Sequence, residues 1–227
     1  MLRIKQFYLE EWKWFKTKFL KIFIIVSIIF ILSVLISHII LIKNPEELQE
    51  ISAFVTKGLL TESPVPEKSI KQCLIIFLNN SIASLICILS GLIPFLFLPI
   101  IGLLRNGIVV GVITSISHVK GFKVLPVLLF SAAPHGIFEL PAIFYSTSLG
   151  VYLCLRMSKK ILNLEKEELT TLFPEGNLDY RSEEQIPLFT RLFKTYIGVI
   201  IPLTMVAAII ETFISRISIL YKIFLVQ

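Results

Sequence analysis

Residues 22–42 read IFIIVSIIFILSVLISHIILI, an uncharged run closed by Lys21 on one side and Lys43 on the other. At about 1.5 Å per helical residue it covers about 31 Å, the thickness of a bilayer's hydrocarbon core. One membrane crossing is expected. The run exceeds the apolar core of a signal peptide and no small-residue cleavage site follows it, so a retained helix is expected over a removed leader.

The rest of the chain repeats this chemistry. Across 227 residues, 55% are hydrophobic and 17% charged, and the mean hydropathy is +0.83. That composition excludes an ordinary soluble globular protein. The expected fold is an all-α integral membrane protein with about five transmembrane helices. Cys73 to Val119 is broken only by Arg105, with Gly91, Pro94, Pro99 and Gly102 before that charge, which reads as a hairpin of two spans, 73–93 and 101–119. Val124 to Leu155 forms the fourth, 124–155. Fully helical it would measure about 48 Å, so it must tilt, kink or break. The fifth is expected at 195–215, and all five belong to one membrane domain, 22–217.

Charge bias sets the expected orientation. The arm 1–21 carries Arg3, Lys5, Lys13, Lys16, Lys18 and Lys21 against Glu10 and Glu11, so the N-terminus is expected on the cytoplasmic side of the cell membrane. Five spans then put the loop 156–194 inside as well, where Arg156, Lys159, Lys160, Arg191 and Lys194 lie near its ends. Phe7, Tyr8, Trp12, Trp14, Phe15 and Phe19 interleave with the arm's bases, the composition of an interfacial anchor. In the outer loop 43–72, Asn44-Pro45-Glu46-Glu47 reads as a helix start, with Leu48, Ile51 and Val55 turned toward the bundle or the membrane. Ser158 to Arg191 is expected to loosen around Pro174 to Asn177, and the tail 218–227 has a composition suited to a membrane surface.

Known chemistries leave little trace. There is no G-x-x-x-x-G-K-[ST] phosphate loop and no H-E-x-x-H, and His38, His118 and His135 fall in different spans or near an end. Cys73, Cys87 and Cys154 lack paired metal spacing and read as free thiols. No glycine-framed serine nucleophile is evident, with Ser146 and Ser148 left open. The expectation is therefore no enzyme, no metal, no cofactor and no nucleic-acid partner.

One carboxylate needs an explanation. Glu139, within SAAPHGIFELPA (131–142), lies 16 residues after Lys123 and 17 before Arg156, at mid-depth of the expected fourth span. A charged acid there costs about 2.5–3.5 kcal/mol on the insertion scale. His135 is four residues earlier on the same helix face. Pro134 and Pro141 withhold backbone donors and Gly136 removes bulk, so the span is expected to kink or break between Pro134 and Pro141. In the plain reading Glu139 locks helices together through Asn79, Asn80 or Asn106. In the sharper one His135 and Glu139 form a proton- or ion-coupled midplane site at a broken helix. Glu211, in the fifth span, belongs to the same candidate polar set, although its distance from Lys194 would let it reach the outer interface. Gly107 and Gly111 form a GxxxG pair suited to close helix contact, with incidental glycine usage as the alternative.

Asn79-Asn80, the turn Gly91 to Pro94, Asn106-Gly107 with Gly111, PHGIFELPA (134–142), Gly150 and IIETFI around Glu211 together resemble the stage II sporulation protein M family. The resemblance covers about 70–214 and fits the preceding span. After the PHGIFELPA motif that family is rich in glycine and alanine, where this chain carries IFYSTSLG (143–150). The resemblance implies a non-enzymatic polytopic scaffold that works with partners, one of them a peptidoglycan-degrading enzyme in sporulating members. Similar proteins occur in organisms that never sporulate, so that role is not carried over. The partners expected for this chain are the lipid bilayer and another membrane protein or itself.

Overall fold

A computed structural model describes residues 2–61, 69–129, 133–162 and 188–214. Among them every regular element is helical. α1 is Leu2–Trp14, α2 Leu20–Lys43, α3 Pro45–Thr61, α4 Ile70–Ser90, α5 Leu98–Val119, α6 Val124–Val127, α7 Ala133–Leu162, α8 Leu188–Thr195 and α9 Ile201–Phe213. Five helical stretches are long and apolar enough to cross a membrane: Ile4–Lys43, Ile70–Ser90, Leu98–Val119, Ala133–Lys159 and Leu188–Phe213. This is a five-span multi-pass membrane protein. Pro174 to Asn177 and the tail 218–227 lie outside the described residues.

The arm differs from a separate surface helix. A π-helical turn, Phe15–Phe19, joins α1 to α2, giving a continuous helix of 40 residues from Ile4. At about 1.5 Å per residue that is about 60 Å, twice a hydrocarbon core. The helix therefore extends well beyond one membrane face. A second π-helical turn, Tyr196–Ile200, joins α8 to α9 in the same way.

The fourth segment is helical on both sides of residues 130–132, which lie outside the described residues: α6 continues as π-helix through Leu129, and α7 follows from Ala133. Pro141 lies inside α7, where the carbonyl of Ile137 receives no donor. Val127 of α6 is buried against Leu41, Leu48, Val112 and Ile116. Thus the short helix helps close one end of the bundle. Leu48 reaches that cluster from α3, with Ile51 beside it. Asn44 ends α2 by donating its side-chain amide to the Ile40 carbonyl at 2.9 Å and does not cap α3 through its side chain.

α7 is the central helix, touching α2, α4, α5 and α9. Lipid is as apolar as leucine, so spans associate through close packing and polar contacts rather than hydrophobic burial. The α2–α5 seam follows that rule. A Cβ at Gly107 would meet the Ser33 hydroxyl and, at 3.2 Å, the Phe30 carbonyl. One at Gly111 would meet the Ser37 hydroxyl and, at 2.9 Å, the Val34 carbonyl. The GxxxG pair is a helix contact. Gly91 and Gly150 also meet: a Cβ on Gly150 would lie 2.6 Å from the Cys87 carbonyl and 2.7 Å from Pro99 Cγ. The α4–α5 turn is thereby pressed onto α7, and Phe95 in that turn donates its N–H to Ser158 Oγ at 3.0 Å.

IFYSTSLG packs tightly without extra glycine or alanine. Ser146, Thr147 and Ser148 are all but inaccessible. Ser146 and Ser148 donate to the carbonyls of Ala142 and Phe144, four residues back, and Thr147 meets Cys87 Sγ. Small side chains with internally satisfied hydroxyls take up little more room than alanine.

Candidate functional site

The PHGIFELPA segment opens a stripe along α7. His135, Glu139, Ala142, Ser146, Leu149 and Leu153 recur at alternating spacings of four and three, the repeat that keeps residues on one helix face. Ala142, Leu149 and Leu153 are fully buried. On α9 and the turn before it, Ile200, Thr204, Ala207 and Ala208 are likewise buried, and Glu211 continues their face. The two helices pack together. Small residues at Ala142, Ala207 and Ala208 let the backbones approach, so the polar side chains at one end of the seam converge.

His135 Nε2 lies 3.8 Å from Glu139 Oε2, and ligand atoms of His135, Glu139 and Glu211 all fall within 4.8 Å of one another. All three are half-buried. Glu139 stands six residues into α7, about 9 Å from its first residue, and Glu211 two residues before the end of α9. Glu211 faces into the bundle, beside His135 and Glu139. Asn79 and Asn106 are exposed on the bundle surface and Asn80 is half-buried. Among the described residues none of the three hydrogen-bonds Glu139. Nor is Gly136 a packing glycine, since a Cβ there would meet only Leu140 Cδ1, at 3.9 Å.

A family model described as Stage II sporulation protein M matches residues 23–216, most of the chain. The chain belongs to the stage II sporulation protein M family. No curated protein and no solved structure matches it. Every residue of the cluster falls inside the matched region, so the site is built from the family's own domain rather than from an appended segment. As a member of that family the protein is a multi-pass membrane protein; the family description carries no chemistry for the cluster.

Two further polar centres escaped the sequence reading. Glu11, only 6% exposed, accepts from Thr195 Oγ1 at 2.7 Å and pairs with Arg191 Nε at 3.5 Å. The Arg191 guanidinium also stacks on Trp14, 4.6 Å from its ring centre. The acid thus clips the arm onto α8. Near the opposite end of α2, His38 Nδ1 contacts Thr114 Oγ1 at 3.0 Å and Ser115 Oγ at 3.2 Å, with the His118 ring 6.0 Å away. The signal for that pair was present: Gly107, Gly111, Thr114 and His118 share one α5 face, and Val34, His38 and Leu41 share one α2 face.

Proposed function

We propose that this protein is a non-enzymatic component of a membrane complex, in which α4 docks a transmembrane helix of a second protein. Asn79 carries the reading. It stands at the middle of α4, exposed, on a face it shares with the exposed Ile75, Ile82 and Ile86. A carboxamide facing hydrocarbon leaves donors and acceptors unsatisfied, whereas an interhelical amide contact is worth about 1–2 kcal/mol in model peptides. Membership of the stage II sporulation protein M family supports a role alongside partners. The positively charged arm supports a cytoplasmic N-terminus.

Purification in mild detergent or directly into nanodiscs tests this. A second membrane protein at fixed stoichiometry, released by Asn79→Leu without loss of the folded chain, is the expected result. A strictly solitary chain, or a complex indifferent to Asn79→Leu, counts against it. A second copy of this chain across α4 would make the interaction self-association.

The His135–Glu139–Glu211 cluster favours a second reading, a proton- or ion-coupled carrier. Titratable side chains within membrane spans are a recurrent arrangement in such proteins. That reading requires a pH-dependent flux in proteoliposomes that Glu139→Gln abolishes.

A further inference from the structure

Two carboxylates from different helices converge beside an imidazole, inside the bundle of a membrane protein. Adjacent acids in a poorly hydrated place need a counter-charge or a shared proton. Among the described residues no lysine or arginine pairs with Glu139 or Glu211; the ion pair that involves either is His135 with Glu139. An imidazole and two carboxylates are also a recognised donor set. Zinc and related first-row ions accept such ligands, whereas magnesium and calcium demand nearly all-oxygen shells of six or more.

We propose that His135, Glu139 and Glu211 bind one divalent transition-metal ion, tying the start of α7 to the end of α9. Metal bonds of about 2.0–2.2 Å place tetrahedral ligand atoms about 3.4 Å apart. His135 and Glu139 stand at 3.8 Å and the whole set within 4.8 Å, so rotation of the carboxylate ends closes the remaining gap. Glu139 and His135 come from one helical turn at i and i+4. Glu211 arrives from the neighbouring helix because Ala207 and Ala208 let it come close. The 2+ charge balances both acids. The inference rests on this donor set alone and stands whether the chain is an assembly component or a carrier.

The test is equilibrium binding of metal to the full chain in nanodiscs, with no gradient and no flux. Co²⁺ is titrated by its visible ligand-field absorption, then displaced by Zn²⁺ while thermal unfolding is followed. The expected result is one Co²⁺ per chain, displaced by Zn²⁺, with a higher Tm in Zn²⁺ and no response to Mg²⁺. Glu211→Gln and His135→Ala should each weaken binding by more than the roughly 10–100-fold typical of losing an outer-shell partner. Loss in either variant suffices, so a misfolded one leaves the other to report. His118→Ala should bind as the parent does. Absence of stoichiometric binding overturns the proposal. So does binding that survives both variants, or that is lost equally in His118→Ala.

Discussion

Gly136 and Gly150 stand 14 residues apart on α7 and should respond oppositely to one substitution. Gly136→Ala meets only ordinary contact with Leu140 Cδ1 at 3.9 Å and removes the backbone freedom of a helix glycine, so it should leave stability unchanged or raise it by about 0.4–1 kcal/mol. Gly150→Ala drives a methyl group into the Cys87 carbonyl and Pro99. Backbone cannot swing aside as a side-chain end does, and a loss of about 1–3 kcal/mol is expected. Thermal unfolding of both variants in one detergent reads the contrast directly. Glu11 offers a third residue-level case. Glu11→Ala strands the Arg191 guanidinium and the Thr195 hydroxyl in a largely buried place, for a predicted cost of about 1–3 kcal/mol. Glu11→Gln keeps an acceptor for Thr195 and should recover part of it.

At the scale of elements, the α2–α5 seam is a close contact. Gly111→Val should separate α2 from α5, since the branched side chain has both the Ser37 hydroxyl and the Val34 carbonyl in its way. Its signature is a lower Tm and faster proteolysis. An engineered Ser37→Ala partner should restore little, because the carbonyl stays. The spans themselves were legible in the sequence, since apolar length is a local property and bilayer thickness is fixed. The GxxxG pair was legible too, because a spacing of four marks one helix face. What the chain does not print is which polar residues meet. His135 and Glu139 share one turn and could be paired by counting, whereas Glu211 joins them through α7–α9 packing more than seventy residues away. Asn79, Asn80 and Asn106 were natural candidates by depth, yet helix rotation turns Asn79 and Asn106 outward. The alternating α7 stripe ending in His135 held the missing hint, because it pointed that face at whichever span carried small residues.

For the molecule as a whole, five spans place the ends of the membrane domain on opposite faces. With the basic arm inside, reporters fused to the two termini should read cytoplasmic at the N-terminus and external at the C-terminus; the reverse pattern would overturn the assigned orientation. The contact of Glu11 with Thr195 has a different reach, because it closes over 184 residues. Ribosomes deliver chains from the N-terminus, so the first helix enters the bilayer long before α8 exists. Until then the Glu11 carboxylate has neither its hydroxyl nor its guanidinium, and only the Phe15–Phe19 end of the arm, against Tyr145 and Tyr152 of α7, has a seat. The clip can therefore close only on a chain whose last span has arrived. A product truncated before residue 188 should display its arm to quality-control proteases, while the finished protein hides it.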